Sequence, residues 1–357
     1  MSLSTRLRAR STSARILAGT LALSGVLLVT ACGGSTEADT GGGTADYGTL
    51  DLNLSWIKNA EFAGEYFADA SGYYKEAGFS DVNLIAGGPG GTSTETMVLS
   101  GGALVGTSSP MGVAPVIAEE DAPLKIIGTT YQKNPFVIIS LDGNPITTPA
   151  ELAGQRIGVQ AGVNETLFDA LLEVNGIDPG SVEKVPVQYD PQPLVNGDVD
   201  GFFGYLTNEV LTLEQAGHAT AVLPFADNGL PFIAESFVTT DEAIETRREE
   251  LKAFLRATLR GWQDAVADPE ESARLAVEVY GSDLNLDMAK EIRQAEEQNS
   301  KLVVSAETDA NGLFTVSDEL IQENLSILKL AGYDLEAEDV FDMSLLAEVY
   351  EENPELK

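Results

Sequence analysis

A single cysteine and a single histidine serve the whole of this 357-residue chain, and that shortage excludes much chemistry. Cys32 has no partner, so no disulfide can form within the chain and the fold must rest on its hydrophobic core. Metal centres built from cysteine and histidine are ruled out, and no spaced carboxylate motif replaces them, so neither metal nor cofactor is expected. Nor is a Ser-His-Asp set legible around the one histidine, His218. Positive charge is scarce as well. Lys and Arg number 21 against 56 Asp and Glu, a net charge of −35, and a field of that sign repels nucleic acid. No arginine stands between Ile16 and Gln155, and Arg156 is the only one between Ile16 and Arg247. A small anionic ligand needs strong donors, for which arginine's fork is the usual means; helix N-termini, Lys58 or Lys133 would have to substitute. The last absence is of a long apolar run. The uncharged stretch from Ile16 to Thr30 falls short of the roughly 20 residues a permanent membrane span needs.

What is present begins at that stretch. Arg6, Arg8, Arg10 and Arg15 precede it, the layout of a signal peptide over residues 1–31. Its end, Leu28-Val29-Thr30-Ala31-Cys32, sets a small residue directly before the cysteine, as bacterial lipoprotein signals do. Cys32 is therefore expected to carry lipid, anchoring the protein to the cell membrane on its extracytoplasmic side. Residues 32–48, rich in glycine and polar side chains, read as a flexible tether.

Beyond the tether, strands alternate with helices. Leu50, Leu52, Leu54 and Trp56 alternate with polar residues as a half-buried strand does, and Ala63, Tyr66, Phe67 and Ala70 recur at helical spacing until Gly78. Val82 to Ala86 reads as a second strand, followed by the turn Gly87 to Gly91 and a helix from Thr92–Thr94. Leu104 to Thr107 is a third, ending at Ser108-Ser109-Pro110. A second set opens at Thr148-Pro149-Ala150-Glu151, which combines an N-cap, a proline at the first helical position and a capping-box glutamate. Ile157 to Val159 follows as a strand, Asn164 caps a helix running to Gly176, and Gly201 to Tyr205 precedes a helix ending at Gly217. From Asp241 the chain is largely helical, including Glu249 to Val266 and Ser317 to Ala331. The repeated units predict an α/β protein with mostly parallel sheets in two lobes, the first from 49–140 and 237–357, the second from 141–236.

Trp56-Ile57-Lys58-Asn59-Ala60-Glu61-Phe62-Ala63-Gly64, continuing to Gly72-Tyr73-Tyr74-Lys75-Glu76-Ala77-Gly78, resembles the opening of the periplasmic binding proteins that carry thiamine pyrimidines, riboflavin, alkanesulfonates and nitrate. Tyr189-Asp190-Pro191, Asn196 to Gly201, Gly204 to Glu209 and Asp227 to Phe232 resemble that family's second lobe, and Arg256 to Asp268 its C-terminal helices. The likeness spans roughly residues 50 to 335 and is nearest to the thiamine-pyrimidine-precursor branch. It implies a type II binding-protein fold, a ligand cleft between the lobes, a small heterocycle as ligand, and an ABC permease and ATPase complex as partner of a monomer. Riboflavin, alkanesulfonate, taurine or nitrate are the alternatives. Two departures stand out: Glu61, Phe62 and Ala63 occupy the place where pyrimidine binders carry a histidine, and Asn228 stands where a tyrosine is common. Eukaryotic relatives synthesise the pyrimidine with the help of histidine and cysteine, which one of each cannot supply here, so no enzyme is expected.

In open α/β sheets ligands sit beyond the carboxyl ends of strands, which selects Trp56, Ser108, Ser109, Asn164 and Tyr205 with Asn208 and Glu209. Trp56 offers a flat face to a ring or else packs in the core. Glu209 either accepts hydrogen bonds from an exocyclic amine or is an ordinary first-turn glutamate. Tyr131 and Phe62 are further aromatic candidates, and the resembling runs add Asn59 and Asp227.

Overall fold

Leu50 and Leu52, both fully buried, give the first strand, β1 (Gly48–Asn53), the period-2 face its sequence promises. The computed structural model describes residues 45–357; the leader, Cys32 and most of the tether lie outside the described residues. After β1 come β2 (Phe79–Ile85), β3 (Val105–Ser108), β4 (Leu124–Tyr131), β5 (Phe136–Leu141), β6 (Arg156–Val159), β7 (Glu183–Pro186), β8 (Gly201–Tyr205), β9 (Thr220–Pro224) and β10 (Ala234–Thr240). They form two five-stranded sheets on one plan, ordered β2-β1-β3-β10-β4 and β7-β6-β8-β5-β9. In the first, β1 pairs in parallel with β2 and β3, and β10 runs antiparallel between β3 and β4. In the second, β6 pairs in parallel with β7 and β8, while β5 runs antiparallel between β8 and β9. The sheets are thus mixed, mostly parallel and flanked by helices, with one reversed strand each.

That reversed strand moves the expected lobe boundaries. Phe136 to Ile139 is buried on both faces and pairs within the second sheet, so the chain crosses between Tyr131 and Phe136 rather than after Ser140. It returns between Pro224 and Ala234, a little before Phe237. A doubly buried apolar run announces a central strand and says nothing of which sheet it joins.

Locally the helix signals behave as their chemistry dictates, with three adjustments. The helix read as continuous to Gly78 breaks into Ala63–Ala70 and Tyr73–Ala77, because Gly72 takes a φ of 76°, a left-handed conformation that ends a helix. The capping box at Thr148 forms, with Glu151 Oε2 accepting the Thr148 N–H at 2.9 Å, yet it opens only the 3₁₀ turn Pro149–Leu152 before the chain extends at Ala153. Asn164 is not the cap of the helix Val163–Val174; Gly162 holds that position, and the Asn164 amide donates to Gln160 Oε1 at 3.0 Å. Of the C-terminal helices, Arg248–Ala267, with Trp262 buried, packs on Ala63–Ala70 and Tyr73–Ala77, while Asp318–Leu330, capped by Ser317, packs on Pro110–Glu120. Among the described residues no helix is long and apolar enough to cross a membrane.

Candidate functional site

The two reversed strands decide where a site can form. Because β10 and β5 run against their neighbours, their N-terminal ends meet the C-terminal ends of the other strands, and both kinds of end face one cavity. Its volume is about 140 Å³, comparable with the roughly 150 Å³ engineered cavity that holds one benzene. The first lobe contributes Ser55 and Trp56 from the turn after β1, Glu61 from the 3₁₀ turn Ala60–Phe62, and Glu235 from β10. The second contributes Phe136 from β5, Gln160 and Asn164 after β6, Tyr189 after β7, and Phe203 to Tyr205 of β8 with Asn208 and Glu209 behind it.

The Trp56 turn is held by the glycine loop. Gly87 and Gly88 donate their N–H groups to the carbonyls of Trp56 and Ser55 at 3.0 and 3.2 Å. A Cβ on Gly87 would come within 2.3 Å of the Leu54 carbonyl oxygen, so only glycine allows this approach. The loop approaches the backbone that presents Trp56 and does not itself line the cavity. Across the cleft, the Trp56 and Tyr189 rings lie 5.0 Å apart at 66°, an edge-to-face contact.

Three buried carboxyls border the cavity: Glu61, Glu209 and Glu235. Glu209 accepts the Tyr205 N–H at 2.7 Å on one oxygen and the Asn208 amide at 2.9 Å on the other. Burial pushes its carboxyl above the ordinary value, more than these bonds and the nearby Lys290 pull it down. Burial and the facing Glu235 hold Glu61 well above the usual carboxylate range. Lys290, on the first-lobe helix Met288–Gln298, sends its ammonium across to Asn208 Oδ1 at 2.8 Å, and to Glu291 at 3.1 Å and Gln294 at 2.5 Å. An ion pair, Arg293 to Glu214 at 2.8 Å, also joins this helix to the second lobe.

Of the residues singled out from the sequence, the structure brings Trp56, Asn164, Tyr205, Asn208 and Glu209 to the cavity wall. The others stand elsewhere. Phe62 and Tyr131 are core residues of the first lobe, the Tyr131 hydroxyl donating to Gln298 Oε1 at 2.9 Å. Asn59 is buried as the cap of the Ala60–Phe62 turn, and Ser109 caps the helix Pro110–Glu120. Ser108 donates to Glu95 at 2.5 Å, and Asp227 pairs with Lys133 at 3.7 Å on an exposed face. His218 follows the helix Glu209–Gln215 and takes no part in the wall.

Ser55, Glu61, Gln160, Tyr189 and Glu235 were missed, with Phe136, Phe203 and Gly204. Gln160 and Ser55 could have been found, since each stands within two residues of a parallel strand's end. Tyr189 lay in a run already noted, and Glu61 in the place of an absent histidine. Glu235 and Phe136 gave no signal, because they open reversed strands.

The family model described as NMT1/THI5 like matches residues 59–272. The formylaminopyrimidine-binding protein of Halalkalibacterium halodurans is 25% identical over 76% of this chain and 81% of its own. The riboflavin-binding protein RibY of Chloroflexus aurantiacus is 28% identical over 72% and 77%. A 4-amino-5-hydroxymethyl-2-methylpyrimidine phosphate synthase of Legionella pneumophila is 26% identical over 63% and 72%. Among solved structures, the periplasmic aliphatic sulphonate binding protein SsuA of Escherichia coli superposes with a TM-score of 0.59 at 13% identity, over 79% of this chain and 86% of that one. At that identity the likeness is one of fold.

Proposed function

The chain belongs to the NMT1/THI5-like family, and from that premise we propose that it is an extracytoplasmic solute-binding protein of an ABC importer. Its ligand is a small nitrogen heterocycle of about one ring, of the kind presented by a thiamine pyrimidine precursor, and lipid on Cys32 anchors it. One observation carries the reading: the cavity between the lobes has an aromatic residue from each side, Trp56 and Tyr189, three carboxyls and, among the described residues, no arginine or lysine in its wall. A flat ring with N–H donors suits that wall; a sulfonate or nitrate does not, since three acceptors would face its oxygens. The volume favours one ring over the three of a flavin.

The synthase among the relatives raises an enzyme as the second reading. Synthesis of the kind that consumes histidine and cysteine has no such residues to draw on, since among the described residues no histidine, cysteine or lysine borders this cavity and its proton-transfer groups are glutamates and tyrosines. The wall supports capture and release of an unchanged ligand. Calorimetry on the tag-free mature protein with 4-amino-5-hydroxymethyl-2-methylpyrimidine, riboflavin, taurine and nitrate tests both points. Saturable binding of the pyrimidine with its recovery unaltered is expected. Tight binding of taurine or nitrate alone, or steady conversion of the pyrimidine, would overturn the proposal.

A further inference from the structure

Glu209 is tied to its own lobe's backbone, which leaves two carboxyls of the opposite wall without an explanation. Glu61 is 5% exposed, on a turn fixed by Asn59, whose side chain accepts the Glu61 N–H at 3.0 Å. Glu235 is 6% exposed and has a φ of 47°. A glutamate in that left-handed backbone is strained, and such strain is found at ligand-binding positions. Its Oε2 accepts the Ser55 hydroxyl at 2.7 Å, and its carbonyl accepts from Thr130 at 2.9 Å. The two side chains border the same cavity from the same wall, and each acts on the other's ionisation. Among the described residues, no other group donates to the Glu61 carboxyl.

Two facing carboxyls this deeply buried do not both ionise; they share one proton. The groups around them push the same way or stand aside. Glu209, across the cavity, adds like charge. Glu65 on the helix Ala63–Ala70 is itself buried. Tyr131 and Tyr205 are raised by burial and remain neutral. Lys290 opposes, but Asn208, Glu291 and Gln294 already hold its ammonium. The shared proton is the pair's own donor, so the cavity meets acceptors bearing one negative charge.

We propose that Glu61 and Glu235 form a second recognition site, on the first-lobe wall, for the N–H donors of an exocyclic amine on the ligand, and that filling it displaces the shared proton to solvent. This rests on the heterocycle reading above and adds to it a specificity device and a proton linkage. As pH falls the pair gains a second proton and its acceptor character weakens, so affinity for a donor-bearing ligand rises with pH.

The test is calorimetry from pH 5 to 8, in two buffers of different ionisation enthalpy, with 4-amino-5-hydroxymethyl-2-methylpyrimidine and its 4-oxo counterpart. The parent should prefer the amino compound at least tenfold, release protons on binding it, and gain up to about tenfold in affinity per pH unit over part of the range. Glu61→Gln and Glu235→Gln, each checked for folding by thermal melting, should lose most of that preference and flatten the pH dependence. The amino compound's own titration is common to all three proteins and cancels in the comparison. Should one variant fail to fold, the other carries the comparison. Variants that bind the amino compound like the parent, with the same proton count, would overturn the proposal and leave the heterocycle reading standing. A parent that binds neither pyrimidine but takes taurine or nitrate would overturn both.

Discussion

Trp56 of the first lobe and Tyr189 of the second touch across the cleft, their ring centroids 5.0 Å apart. Each ring reaches the other from a turn just past a strand, so the contact closes only when the lobes are near each other. A bound ring would exchange part of this contact for stacking of its own. Replacing Trp56 by Ala should weaken binding of an aromatic ligand by about 1–3 kcal/mol, taking base stacking as the guide. Titration calorimetry reads the loss, and a Trp56→Ala protein with parental affinity would remove Trp56 from the site.

Glu209 joins three elements, since it accepts the Tyr205 N–H and the Asn208 amide while Asn208 receives Lys290 from the opposite lobe. Glu209→Ala leaves two half-buried donors without partners, at a cost of about 1 kcal/mol. Denaturant unfolding should show that loss, and ligand affinity should fall at least tenfold. A variant as stable as the parent would mean that water replaces both bonds.

The sequence made the architecture readable because parallel strands and capped helices carry their signals locally, as at Ser109-Pro110 and Ser317. The reversed strands carried none. Nothing in Phe136 to Leu141 distinguishes a strand of the second sheet from one of the first, and Glu235 reaches the cavity only because β10 runs antiparallel with a left-handed residue at its start. Part of the site was illegible for the same reason: looking beyond the carboxyl ends of strands finds Trp56, Asn164 and Glu209, and would find Ser55 and Gln160, but overlooks Glu235 and Phe136, which reversed strands supply from their N-terminal ends. Tyr131 illustrates the converse error, for it stands at the carboxyl end of β4 yet points into the first lobe's core.

The role of Cys32 can be tested without any ligand. In a bacterial host, Cys32→Ala should abolish incorporation of labelled fatty acid and free the protein from the membrane fraction. The released body should bind the pyrimidine as the parent does, since the cavity is built wholly from residues 55 to 235. Fatty acid still entering the Cys32→Ala protein would refute the anchor.

Glu65 gives the pH dependence of the fold itself. It lies on the helix Ala63–Ala70, buried against Trp262, whose indole N–H donates to Oε1 at 3.2 Å, while Oε2 has no partner. Burial outweighs that bond and raises the carboxyl from 4.5 to about 7. Between those two values the folded chain holds a proton that the unfolded chain has released. The stabilisation is therefore complete below about pH 4.5 and is lost as the pH rises through about 7. Across that window the loss is on the order of 3 kcal/mol. Glu65→Gln keeps an acceptor for Trp262 and removes the titration, so its stability relative to the parent should increase by about that amount between pH 4.5 and pH 8. The carboxyls of Glu61 and Glu235 titrate in both proteins and cancel in the difference. Urea unfolding of parent and variant at pH 4.5, 6 and 8 measures it, and curves that run parallel across the three would show that Glu65 is ionised in the fold or reached by water.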